Sequence, residues 1–263
     1  MPKVTVIHKD FGADVPYIRI IPLADLHVGS TGFNENKFLW YRGKIINDPY
    51  TFCVINGDVL EFVTKSSKGD VFDSIRPREQ RKLAVKYLKP LADEGKIIAY
   101  LDGNHEDRAK RENDEYIGEE ICANLGIPSV YGEDAIYLFM SVGYDSSEGK
   151  KNRIVYTAYM LHGWTGAKTV GGKFTNLASM QGIAFADLYI GSHVHQMGVF
   201  PLETIVPNVI KKKAQWHRQL FVSTGAFMDY SGYAIRGGYR PTSLGSPMIE
   251  LDGRVKNIQA VVG

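Results

Sequence analysis

The sequence predicts an α/β protein in which two β-sheets pack face to face with helices on the outside. Two observations lead there. Short buried strand patterns alternate with helical patterns through the first half of the chain, and the second half turns strand-rich. In order, "YIRIIPLA" (17–24) reads as a buried strand, followed by a loop and a helix from about Asn34 to Asn47. "YTFCVI" (50–55) is a second buried strand. In "REQRKLAVKYLKPLADEG" (78–95), Leu83, Ala84, Tyr87, Leu88 and Leu91 share one helical face, and Pro90 is expected to end or kink that helix. "KIIAYL" (96–101) is a third strand, and "NDEYIGEEICANLG" (113–126) a helix closed by Gly126. The strand-rich half reads "AIYLFMSV", "RIVYTAYML", "DLYI", "MGVFPLETIV", "RQLFVST", "PMIELDG" and "VKNIQAVV". A surface loop is expected at 143–153 and a long Gly-, Tyr- and Arg-rich loop at 225–246.

The chain of 263 residues is expected to form one domain, spanning 1–263. Its formal charge of +2 is too near neutral to argue for nucleic acid by itself. The basic clusters at 76–82, 108–112 and 211–213 read individually as solvated faces. No apolar run is long enough to cross a membrane, and the N-terminal residues lack the apolar stretch of a signal peptide. A cytoplasmic location and no membrane partner are therefore expected. Cys53 and Cys122 sit in apolar segments and read as reduced core residues.

The chemistry is written at the strand ends. Asp25 and His27 follow the first strand, Asp58 the second, and Asn104, His105 and Glu106 the third. His162 follows "YTAYM", and "IGSHVHQ" places His193 and His195 after "DLYI". Any one of these has a bland explanation as a turn former, helix cap or core histidine. Five such groups, each at the C-terminal end of a strand, mark the usual position of a site in an open α/β sheet. Oxygen donors mixed with imidazole suit Mn²⁺, Fe, Zn²⁺ or Ni²⁺, and neither cysteine is near the set. "GWTGAKT" (163–169) is not a phosphate loop, because Ala167 separates the glycine from Lys168.

The ordered motifs D-x-H, G-D, G-N-H-E, H-G and G-x-H-x-H, running from Asp25 to His195, resemble the calcineurin-like metallophosphoesterase superfamily, with its DNA-repair exonuclease branch the nearest in kind. The resemblance implies a four-layer αββα sandwich of two mixed β-sheets flanked by helices, holding two divalent metal ions, Mn²⁺ foremost. It implies that Asp25, His27 and His195 hold one ion, that Asn104, His162 and His193 hold the other, and that Asp58 bridges them. His105 would lie beside the substrate as a proton donor. Many members carry an Asp three residues after the bridging Asp to orient that histidine; here "GDVLEF" places Glu61 there.

The activity implied is that of a phosphoesterase using metal-activated hydroxide, with phosphodiesters favoured and nucleic acid slightly ahead as substrate. Arg108 and Arg236 are the candidate substrate contacts, and Tyr230, Tyr233, Tyr239 and Arg240 join Arg236 in the 225–246 loop, where bases could stack. Small nucleotides, phosphoproteins or lipid headgroups are the alternative substrates. A non-catalytic interaction scaffold is the alternative of another class, disfavoured by the complete ligand set.

Overall fold

The computed structural model describes residues 3–64, 74–145, 152–164, 167, 169–210, 212–230, 235, 240–241 and 244–262. Two six-stranded mixed sheets stack with helices on both outer sides, an α/β fold consistent with the four-layer expectation. One sheet contains β1 (Val4–Asp10), β6 (Ala135–Asp145), β7 (Asn152–Met160), β8 (Leu188–Gly191), β10 (Lys213–Ser223) and β9 (Gly198–Asn208), in that spatial order. The other runs β12 (Ile258–Val261), β11 (Met248–Asp252), β2 (Tyr17–Leu23), β3 (Thr51–Asn56), β4 (Ile97–Leu101) and β5 (Tyr131–Gly132). The helices are α1 (Glu35–Asn47), α2 (Pro77–Asp93), α3 (Asn104–Asn113), α4 (Ile117–Leu125) and α5 (Val170–Ala178).

The two-residue period of the strands builds the layers. On β2, Ile18 and Ile20 face the other sheet, where they meet Ile136, Leu138, Met140, Leu188 and Val222. Ile21 and Leu23 point the opposite way, into a second core with Phe38, Leu88 and Ile121 of α1, α2 and α4. A smaller third core, including Tyr189, Phe221 and Leu177, lies between the first sheet and α5. Strands buried on both faces explain the nearly continuous apolar runs in the sequence.

Four elements differ from expectation. Helix α2 continues past Pro90 to Asp93. The proline lies in the last turn, and the carbonyl it leaves unpaired belongs to Lys86, an exposed residue within reach of water. Helix α3 begins at Asn104, where no helix is expected, and α4 is a separate helix that does close at Gly126 in the left-handed conformation (φ 74°). Strand β10 starts five residues before the segment read as its beginning, and β1 was not anticipated.

Candidate metal centre

Strands β2, β3 and β4 are neighbours in one sheet and β7 and β8 in the other, so their C-terminal ends meet along one edge of the sandwich. All of the candidate ligands lie on the turns leaving these ends. The turns after β2 and β3 are zipped together by backbone bonds, from Asp25 N to Gly57 O (3.1 Å), His27 N to Asp58 O (3.0 Å) and Val28 N to Val59 O (2.8 Å). Asn56 ties them to the other sheet, its amide donating to Leu161 O at 3.0 Å and Ser192 Oγ at 2.7 Å.

The backbone turns sharply at the ligands themselves. Asp25 (φ 51°), His27 (φ 50°), Asp58 (φ 49°), His193 (φ 68°) and His195 (φ 51°) all occupy the left-handed region. Each such residue costs about 1–3 kcal/mol unless its surroundings enforce it. Five of the eight non-glycine residues in that conformation among those described are therefore candidate ligands, a concentration that points to function. Two glycines make the tightness possible. A Cβ on Gly57 (φ 88°) would lie 2.4 Å from His162 Nδ1, and one on Gly103 would lie 2.2 Å from Asp58 Oδ1.

Both aspartates are arranged alike. Asp25 Oδ2 accepts the His193 backbone N–H at 3.1 Å, leaving Oδ1 3.2 Å from His195 Nε2 and 4.0 Å from His162 Nε2. Asp58 Oδ1 accepts the His105 backbone N–H at 3.0 Å, at the N-terminus of α3. Its Oδ2 stands centrally, 3.2 Å from His162 Nε2, 3.8 Å from His105 Nε2 and 4.0 Å from His27 Nε2. One oxygen of each carboxylate is thus fixed to the backbone and the other is aimed inward. Asn104 Oδ1 lies 2.7 Å from His193 Nδ1 and 3.2 Å from His162 Nε2. His162 Nδ1 is 2.7 Å from the Asn56 carbonyl, which makes it the protonated nitrogen and leaves Nε2 as a donor atom.

Donor atoms of Asp25, His27 and His195 fall within 4.8 Å of one another, as do those of Asp58, His162 and His193. Asp25 Oδ1 and His27 Nε2 are buried without a hydrogen-bond partner. Buried polar atoms left in this way are costly, and a divalent cation would satisfy them. Asp25, His27 and His195 thus gather on one side and Asn104, His162 and His193 on the other, with Asp58 Oδ2 within 4.0 Å of both His162 Nε2 and His27 Nε2.

Electrostatics reflect the crowding. Burial opposes ionisation of Asp58, yet His162, His105 and His27 outweigh it and hold the carboxyl well below its ordinary range. Asp25 is lowered in the same way, burial being overcome by His195 and His162. Burial would depress His27, but Glu61, Asp58 and Asp25 raise it to about 9. His162 rises to about 10 against its burial, through Asp58, Asp25 and the Asn56 carbonyl. His27 and His162 thus favour the protonated form, whereas burial and the neighbouring His162 push His193 down.

Glu61 lies differently from the sequence-based expectation. Its carboxylate Oε2 is 2.9 Å from His27 Nδ1, without the alignment of a hydrogen bond, whereas His105 Nδ1 meets the Glu61 backbone carbonyl. The longer side chain carries the charge past His105 to the ligand histidine. Arg108 donates to Phe62 O at 3.1 Å, and Arg236, Tyr233 and Tyr239 lie outside the described residues.

Glu106 carries a role that the sequence did not assign. Buried at 2% exposure, its Oε2 accepts from Asp58 N (3.0 Å) and Gly103 N (2.9 Å), and its Oε1 from Val59 N (2.9 Å) and Leu60 N (3.1 Å). Four amides from two turns converge on one carboxylate. The spacing from Gly103 to Glu106 is that of a helix capping box, the signal that could have identified it.

No protein-family model matches the chain, and no curated protein does. Among solved structures it is similar to a predicted phosphoesterase from Streptococcus pneumoniae (12% identity, 93% of this chain and 89% of that one, TM-score 0.39). It is also similar to a metallophosphoesterase from Sphaerobacter thermophilus (13% identity, 93% and 89%, TM-score 0.39). A third is a calcineurin-like phosphoesterase from Bacillus subtilis (12% identity, 94% and 90%, TM-score 0.36). Likenesses this remote add nothing to the side-chain geometry, on which the functional reading rests.

Proposed function

We propose that the chain is a metal-dependent phosphoesterase that hydrolyses phosphodiester bonds. The observation that carries this reading is the convergence of two buried carboxylates, an amide oxygen and four imidazoles on strained turns, with Asp58 central to both halves. Two divalent ions held there, Mn²⁺ foremost, would supply positive charge to a phosphoryl group and acidify the attacking water. The chain's own contribution is position and proton control. The backbone N–H groups on Asp25 and Asp58 and the Asn56 carbonyl on His162 preset the donor geometry, so little rearrangement accompanies binding. His105, held at Nδ1 by the Glu61 carbonyl, has Nε2 turned toward the centre. From there it protonates the departing alkoxide oxygen.

For the substrate, one feature favours a small diester over a nucleic-acid strand. A cleft of about 220 Å³ opens beside Asn104 and His162, lined by Asp102, Asp107, Glu115, Glu133 and Asp134, with Lys110 the one lysine or arginine on its wall among the described residues. Most of those carboxylates are paired, Asp107 with Arg111, Glu115 with Arg81 and Glu133 with Lys110, so it is the small volume of the cleft that suits a small diester. The test is hydrolysis of bis-p-nitrophenyl phosphate with Mn²⁺, set against single- and double-stranded DNA, RNA and a dinucleotide. Asp58→Asn should abolish turnover and lower bound metal from two ions per chain toward none. Full activity and metal content in that variant would overturn the two-metal reading.

A further inference from the structure

Strands β9 and β10 form an arm that outreaches the sheet. Strand β8 pairs only with Leu220–Ser223 of β10, so Lys213–Gln219 have β9 as their one partner strand among the described residues. Opposite each other on this arm stand Ile205 and Trp216, exposed at 59% and 73%, followed by Pro207 and Ala214. The strand period places Trp216 on the same side as Leu220 and Val222, which belong to the core between the sheets. The face is therefore the inward, core-forming side of the sheet, continued past the point where the second sheet covers it. At the turn, Val209 and Ile210 are exposed at 82% and 95%, the two most exposed large apolar residues of the described chain.

The charge around this apolar tip is of one sign. Between Thr204 and His217 the sequence carries Lys211, Lys212 and Lys213 and no carboxylate, and Arg218 stands opposite Glu203 further back along the arm. We propose that the β9–β10 arm is a docking finger for an anionic phospholipid surface: Val209 and Ile210 enter the acyl boundary while the lysines meet the headgroups. Trp216 lies opposite Ile205, four residues behind Val209 and so about 13 Å from the tip. That is headgroup depth for a tip buried roughly 5–10 Å, the level where tryptophan is favoured. A second copy fits less well. Tip-to-tip association would oppose lysines, and the outer edge of β9 carries Pro201, Pro207 and the exposed Glu203, which blunt strand addition. Nucleic acid fits less well too, because Trp216 is the one exposed aromatic of the arm among the described residues and the tip itself, Val209 and Ile210, offers no ring for a base to stack on.

The arm points away from the candidate metal centre. Strand β10 reaches that centre at Ser223, beside Gly191, ten residues and about 33 Å from Lys213. Docking would fix the molecule at a surface with its site toward the solution, and the inference stands whatever the enzyme's substrate.

The experiment is co-sedimentation of the full chain with phosphatidylcholine vesicles, with and without about one-third phosphatidylserine. Binding is expected only with the anionic lipid, weakening with salt and accompanied by a blue shift of Trp216 emission that Trp216→Phe removes. Lys212→Gln with Lys213→Gln should reduce partitioning about 30-fold. Val209→Asp with Ile210→Asp should reduce it at least as far. Circular dichroism and hydrolysis of the chromogenic diester should be unchanged in both. Equal sedimentation with both vesicle types, no sedimentation, or full binding by either variant would overturn the proposal. So would a lipid-independent dimer that Ile210→Asp dissociates, or tight binding of a single-stranded oligonucleotide that the tip aspartates leave intact.

Discussion

Replacing Glu106 by glutamine tests the least visible part of the site. The carboxylate accepts four backbone N–H groups, two at each oxygen, and so fixes the turn carrying Asp58 to the start of the helix carrying Asn104. Glutamine has nearly the same shape, but whichever way its amide is turned, an NH₂ group faces two buried N–H donors. Each donor left unsatisfied costs about 1–3 kcal/mol, so the pair costs roughly 2–6 kcal/mol. The two bonds that survive weaken further on losing a charged acceptor. In a protein of this size, 1 kcal/mol lowers the melting temperature by roughly 2–4 °C, giving an expected fall of roughly 4–24 °C. Thermal unfolding followed by circular dichroism in chelator isolates this from metal binding, with exposed Glu119→Gln as a control expected to stay within about 0.5 kcal/mol. A second readout is calorimetric titration with Mn²⁺, where loosened turns should weaken binding about 10–100-fold. A variant that melts within about 1 °C of the parent and binds Mn²⁺ equally would show that the four-amide cradle does not hold the site together.

Glu61→Gln should weaken Mn²⁺ binding about 10–100-fold in the same titration, because His27 loses the charge beside its Nδ1, while Glu61→Asp should recover part of it. His105→Ala should cost about 10²–10⁴-fold on a diester with an alkyl leaving group and much less on a nitrophenyl diester, with metal content retained; equal losses would point to a role in phosphoryl charge rather than proton transfer. The metal-free protein should be less stable at alkaline pH. The folded pKa of His27 is raised to about 9 from an ordinary 6.5, so its contribution is complete below 6.5 and lost as pH rises through 9. The shift corresponds to roughly 3 kcal/mol at most. Denaturant unfolding in chelator at both ends of this window measures it, and no loss of stability between them would refute the assignment.

The ligand types and their order were legible because a buried strand must end in a turn, and polar residues that bind metals stand out immediately after apolar runs. Asp25, Asp58 and the His193–His195 pair needed no tertiary information to be noticed. The layers were legible for a similar reason, since apolar residues on both faces of β2 and β3 require cover on both sides. Helix α3 was hidden because "NHEDRAKREN" has almost no apolar face: only Glu106 and Ala109 are buried on it. Its start is set by the amide cradle instead of by hydrophobic pattern. The first five residues of β10 were hidden because the lysines at 211–213 read as a solvated face; the strand there comes into view only when Trp216 is placed opposite Ile205.

The left-handed backbone at five candidate ligands was beyond the sequence altogether. Aspartate and histidine adopt that conformation more readily than most residues other than glycine, yet still in the minority of cases, and nothing in "ADLH" or "SHVH" announces it. Yet it decides what the donors can do, because it lets residues two apart, Asp25 with His27 and His193 with His195, aim at a shared centre while their backbone stays bonded to the neighbouring turn. In an extended strand the same side chains would share a face, but Asp25 N would not reach Gly57 O, and His193 N would not reach Asp25 Oδ2. The strain is held by those bonds and by Glu106 before any cation arrives. That is the physical reason to expect a site whose geometry is set by the chain rather than by its ions. It is also why the decisive substitution is a buried glutamate outside the candidate donor groups.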